Sequence, residues 1–150
     1  MKRITVLLAD DNQLVRREFR KILEHEDDLE VVGEAKNGRE AVALVKKLRP
    51  ALVLMDLAMP VLNGLQATAQ IFKVALATKV LMLSAHSDDG YVQEAINAGA
   101  MGYLIKQTSA GSVCTAIREV QKGNTFFSPS IPRRLRKPNR TGTKLVLQET

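Results

Sequence analysis

Ala51-Leu52-Val53-Leu54-Met55-Asp56 is a run of five apolar residues closed by a single carboxylate. Such a run suits a strand with both faces covered, as in a parallel sheet flanked by helices. Pro50 precedes it, and Pro60 and Asn63-Gly64 follow it. The chain therefore turns before the next helix begins, and Asp56 stands at a strand end with no helix yet to cap.

The same alternation of short apolar runs and longer helical patterns extends to both sides. Strands are expected at Ile4–Ala9, Glu30–Ala35, Ala51–Met55, Lys79–Leu83 and Ala100–Ile105. The second alternates more than the others, which suits an edge. Leu14, Val15, Phe19, Ile22 and Leu23 recur at helical spacing, as do Ala41, Val42, Leu44, Val45 and Leu48. The second helix should run from Gly38 to Arg49 and stop before Pro50; others are expected near Leu65–Leu76, Asp89–Ala98 and Ser109–Lys122. Ser109 is a candidate N-cap, and Gly99 and Gly123 sit where helix C-termini favour positive φ.

Length and composition fit one α/β domain with a tail: 150 residues, 45% of them hydrophobic. Residues 1–125 form the expected domain and 126–150 a basic linker or extension. Of the net charge of +6, all but one unit falls in residues 129–150, where Arg133, Arg134, Arg136, Lys137, Arg140 and Lys144 face only Glu149. The high pI therefore does not make residues 1–128 a nucleic-acid binder. No apolar run approaches the roughly 20 residues of a membrane span, and no signal peptide is read at the start. Cys114 is the single cysteine, and His25 and His86 are far apart. A cytoplasmic setting without a disulfide is expected.

In a parallel α/β sheet, functional groups gather where strands end and loops lead into helices. The first strand is followed by Asp10-Asp11, the third by Asp56, the fourth by Ser84 and the fifth by Lys106. Three carboxylates held together repel unless a cation neutralises them, and hard oxygen ligands suit Mg²⁺. Asp56 could then attack phosphorus in line and form an aspartyl phosphate. Lys106 could neutralise phosphoryl oxygens and Ser84 could donate a hydrogen bond to one. Each residue alone has a plainer reading as a helix charge, a turn or an exposed lysine. Agreement among four strand ends carries the chemical one.

These residues resemble the receiver domains of two-component response regulators, whose pattern is an acidic pair, a phosphoacceptor Asp, a Ser or Thr and a Lys after successive strands. The resemblance covers about residues 3–123. It includes Leu8-Ala9-Asp10-Asp11, Met55-Asp56-Leu57-Ala58-Met59-Pro60, Asn63-Gly64 and Gly102-Tyr103-Leu104-Ile105-Lys106. It implies a flavodoxin-like, doubly wound, five-stranded parallel sheet in the order 2-1-3-4-5, with two helices on one face and three on the other. It further implies Mg²⁺ on Asp11, Asp56 and the Ala58 carbonyl, with Asp10 acting directly or through water. The donor would be a sensor histidine kinase or a small acyl phosphate, and the chain would be a phosphoacceptor switch rather than a turnover enzyme. Phosphorylation would draw Ser84 inward with Tyr103 and reshape the surface of the fourth helix, fifth strand and fifth helix. A homodimer through the first and fifth helices, or the fourth and fifth, is compatible with this pattern.

Two departures stand out. Ala58 replaces the longer polar side chain that many receivers carry there, and Gln107 replaces the proline that often follows the lysine. An ordinary trans link after Lys106 is therefore expected, as in LuxR/FixJ-type receivers. Gly123-Asn124-Thr125-Phe126-Phe127-Ser128-Pro129-Ser130-Ile131 is similar to the region that precedes the DNA-binding domain of those regulators. No helix-turn-helix-sized segment follows, leaving either a piece of a longer transcription regulator or a stand-alone receiver. A flavin-phosphate site would need Gly, Ser or Thr after the first strand, where Asp10-Asp11 would repel it. A Mg²⁺-dependent aspartyl phosphatase would resemble a pattern of two Asp separated by one residue, not an adjacent pair. Nucleic-acid binding through the basic tail is the third alternative.

Overall fold

A computed structural model describes residues 2–85, 89–108 and 110–131. The elements are β1 (Ile4–Ala9), α1 (Gln13–Glu24), β2 (Leu29–Ala35), α2 (Gly38–Leu48), β3 (Leu52–Asp56), α3 (Gly64–Val74), β4 (Lys79–Ser84), α4 (Asp89–Ala98), β5 (Gly102–Ile105), α5 (Ala110–Gln121) and β6 (Phe126–Phe127). Asparagines open three helices: the side chains of Asn12, Asn37 and Asn63 accept first-turn N–H groups, and Asn63 forms a capping box with Gln66. α2 ends at Leu48 because Arg49 turns into the left-handed region, φ 48°, ahead of Pro50. Gly99 and Gly123 take positive φ after α4 and α5, as their positions suggest. Ser109, the candidate cap, and His86 lie outside the described residues.

All strands are parallel, in the order β2-β1-β3-β4-β5-β6. Alternate strand residues face opposite layers. Val6, Leu8, Leu52, Leu54, Leu81, Leu83 and Leu104 pack beneath α1 and α5; Leu7, Ala9, Val53, Met55, Val80, Met82 and Tyr103 pack beneath α2, α3 and α4. Cys114 is buried within α5. No helix among the described residues is long and apolar enough to cross a membrane.

The expectation of five strands needs correction, because Phe126–Phe127 form a sixth. They pair with Gly102 and Tyr103 on the outer edge of β5. Phe126 packs toward the α1–α5 layer and Phe127 toward the other, the period of a strand. Ile131, only 1% exposed, joins the same cluster as Tyr103. Burying a large apolar side chain is worth roughly 1.5–3 kcal/mol, enough to keep these residues on the sheet and cover an otherwise open edge.

Candidate functional site

The strand order reverses between β1 and β3, and the carboxyl ends of β1, β3, β4 and β5 open on one rim. Asp10 and Asp56 are buried there while Asp11 is exposed, and one carboxylate oxygen from each lies within 4.8 Å of the others. Lys106 reaches in from the end of β5. Its Nζ stands 3.2 Å from Asp10 Oδ2 and 3.2 Å from Asp56 Oδ1.

Backbone contacts fix these side chains. Asn12 N–H donates to Asp10 Oδ1 at 2.9 Å, an Asx turn that orients the carboxylate. Leu57 N–H donates to the Leu83 carbonyl at 3.1 Å, and Lys106 N–H to the Ser84 carbonyl at 2.7 Å. The loop after Asp56 folds back so that Gly64 N–H meets the Leu57 carbonyl at 2.9 Å. A Cβ at Gly64 would run into the Asp56 carbonyl, so no other residue fits without moving the strand end.

Burial pushes the Asp56 carboxyl up to about 6, the neighbouring Asp10 adds to the rise, and the Lys106 ammonium opposes it. Asp56 is therefore mostly ionised at neutral pH. For Lys106, burial favours the neutral amine, but Asp56 and Asp10 outweigh it and hold the ammonium above its ordinary range. Asp10 Oδ2 is buried and makes no hydrogen bond. Its charge partner is the Lys106 ammonium at 3.2 Å. Three carboxylates gathered round one ammonium leave negative charge that a hard divalent cation would neutralise.

Of the residues singled out from sequence, Asp10, Asp11, Asp56 and Lys106 come together. Ser84 ends β4, the strand between β3 and β5, and is buried beside them in the sheet. Ala58, two residues after Asp56, is exposed and its side chain is only a methyl group. Tyr103 is fully buried beneath the α4 layer. The link after Lys106 is trans.

Three contributors escaped the sequence reading. Asn12 could have been found as the residue opening a helical pattern. Arg16 donates from Nη1 to the Asp10 carbonyl at 2.6 Å and from Nε to Glu34 at 2.8 Å, bracing the acidic loop against β2. No spacing rule marks an arginine aimed at a main-chain oxygen. Ser128 accepts the Ile105 N–H of β5 on its Oγ at 2.9 Å.

Residues 6–118 match the response regulator receiver domain family. The chain is 37% identical over 138 residues to the transcriptional regulatory protein DegU of Brevibacillus brevis, covering 92% of this chain and 58% of that protein. It is 39% identical over 146 residues to the response regulator protein VraR of Staphylococcus aureus, covering 97% and 69%. The crystal structure of a LuxR-family two-component response regulator from Aurantimonas sp. superposes with a TM-score of 0.83 at 31% identity, covering 87% of this chain and 93% of that one. The chain thus spans less than two thirds of DegU and little more than two thirds of VraR. With this site on this fold, the chain belongs to the response regulator receiver domain family and is a receiver of the LuxR type.

Proposed function

We propose that Asp56 is the phosphoacceptor of a Mg²⁺-dependent switch built from residues 1–125 together with the docked segment 126–131, the residues beyond serving as a linker or extension. The observation that carries this reading is the Lys106 ammonium standing 3.2 Å from both Asp10 and Asp56 in a pocket of three carboxylates. Asp11, Asp56, the Ala58 carbonyl and Asp10 are the groups that would hold Mg²⁺. When bound, the ion neutralises carboxylate charge and that of the incoming phosphoryl oxygens.

The ionised Asp56 oxygen attacks phosphorus in line. A new P–O bond forms, and the bond to the donor breaks with its electron pair leaving on the donor. Lys106 offsets the negative charge on the transferring group, and Ser84 donates to one of its oxygens. The donor is a sensor histidine kinase in the cytoplasm or a small acyl phosphate. Tyr103 shares a buried cluster with Val92, Ala95 and Ile96 of α4. Movement of Ser84 and Tyr103 would therefore be felt across the surface of α4, β5 and α5, the proposed output. That surface, or α1 with α5, would serve a homodimer. DNA would be reached through an output domain of a longer parent protein or through the basic residues 133–144.

Incubation with acetyl phosphate and Mg²⁺ should add one hydroxylamine-labile phosphoryl group to the wild type and none to Asp56→Asn. Equal labelling of the two would remove Asp56 from its role.

A further inference from the structure

After α5 the chain returns to the sheet, beyond the residues that match the receiver family. Phe126–Phe127 pair with Gly102 and Tyr103. Ser128 N–H then donates to the Tyr103 carbonyl at 3.0 Å. At the next step the ladder changes character. Ile105 N–H, on the outer edge of β5, donates at 2.9 Å to Ser128 Oγ, so a hydroxyl stands where a neighbouring strand would offer a carbonyl. The same oxygen shares a hydrogen bond with Thr108 Oγ1 at 3.2 Å. Ser128 is 3% exposed, and Ile131 beyond it is 1% exposed and packed in the cluster that holds Tyr103. The contact is thus built into the core.

Ile105 immediately precedes Lys106. The end of β5 is gripped on both sides, by the Ser84 carbonyl on Lys106 N–H from within the sheet and by Ser128 Oγ on Ile105 N–H from the edge. Thr108 N–H closes back on the Ile105 carbonyl at 2.8 Å, so the turn carrying Lys106 begins from this clamped residue. We infer that Ser128 is a positioning residue for Lys106, which makes the strap Phe126–Ile131 part of the phosphoacceptor machinery. The inference rests on the reading of Asp56 as phosphoacceptor. A lysine serves a transferring phosphoryl group only when held to a fraction of an ångström, and misplacement by about 1 Å can cost a hundredfold in rate. Coupling also runs backwards: a phosphoryl group that engages Lys106 must bias the docking of the strap.

The test uses the full chain with acetyl phosphate, comparing wild type, Ser128→Ala and Ser128→Thr over a Mg²⁺ titration. Ser128→Ala should lower the maximal labelling rate about fivefold, the rate equivalent of one neutral hydrogen bond. The half-saturating Mg²⁺ concentration should stay where it is, because none of the candidate metal ligands touches Ser128. Ser128→Thr keeps the hydroxyl and should label near the wild-type rate. A general loosening of the fold would instead move rate and Mg²⁺ dependence together. In the wild type, hydrogen exchange at the Ile105 and Ser128 amides should slow several-fold when Mg²⁺ and beryllofluoride, a phosphoryl mimic, are added. Wild-type rates in Ser128→Ala, a slow Ser128→Thr, a Mg²⁺ dependence that shifts with the rate, or exchange indifferent to beryllofluoride would each overturn the inference. Failure of the underlying reading looks different, since the wild type itself would then take no label, and both ideas would fall.

Discussion

Asp56 illustrates how a single side chain sets a cost that the fold has to carry. Its carboxyl rises from 3.8 to about 6, by burial first and by Asp10 next. The folded chain thus holds a proton there more tightly than the unfolded chain. Stability from this group is present at low pH and is lost as the pH rises through about 6. Asp56→Asn removes that cost. In magnesium-free buffer at neutral pH the variant should unfold at a higher temperature, with a gain on the order of 3 kcal/mol at most, less for the solvent screening of a carboxylate at the rim, and the gap should close as the pH falls toward about 4. Thermal unfolding across that range decides it, and a gap that ignores pH would show that the carboxylate is not destabilised. The acidic residues and Lys106 were legible because each directly follows an apolar run, and a strand end can be read along one dimension. Arg16 and Ser128 were not, because their partners are main-chain atoms of Asp10 and Ile105, and side-chain spacing carries no mark of such contacts.

Elements followed from periodicity where they were long enough to have one. α4 matches its expected bounds, and β1 does the same, because apolar faces and flanking glycines or carboxylates define both ends. β6 was missed because two residues show no period, and Ser128-Pro129 reads as a turn whether or not the strand before it is docked. Contacts between elements carry no period either: Arg118 of α5 holds Glu26 at 2.6 Å and Asp28 at 2.8 Å, tying α5 to the loop after α1. Two glycines test how the elements meet. Gly64→Ala would drive a methyl group into the Asp56 carbonyl and should destabilise by more than about 2 kcal/mol. Gly111→Ala, in the first turn of α5 with open space around it, should stabilise by about 0.5 kcal/mol through helix propensity. Urea unfolding of the pair checks both, and similar effects from the two substitutions would mean that the loop after β3 is not held against the strand as described.

At the scale of the molecule, the sheet gathers charge that the sequence scatters. Asp10, Asp56 and Lys106 lie on three strand ends far apart in the chain, and parallel strands bring them to one rim with Asp11 beside them. The chain as a whole is basic, +6, but that excess belongs mostly to residues 129–150 and leaves the rim acidic. An acidic pocket with one clamped ammonium suits a cation and then a phosphoryl group, in that order. The most direct measurement is to label the full chain with acetyl phosphate and Mg²⁺, reduce it with borohydride, and map the peptides by mass spectrometry. A phosphorylated aspartate becomes homoserine under those conditions. The account predicts homoserine at residue 56 and at neither residue 10 nor residue 11, with none formed when Mg²⁺ is chelated; homoserine at another aspartate, or the same yield at residue 56 without the metal, would contradict it.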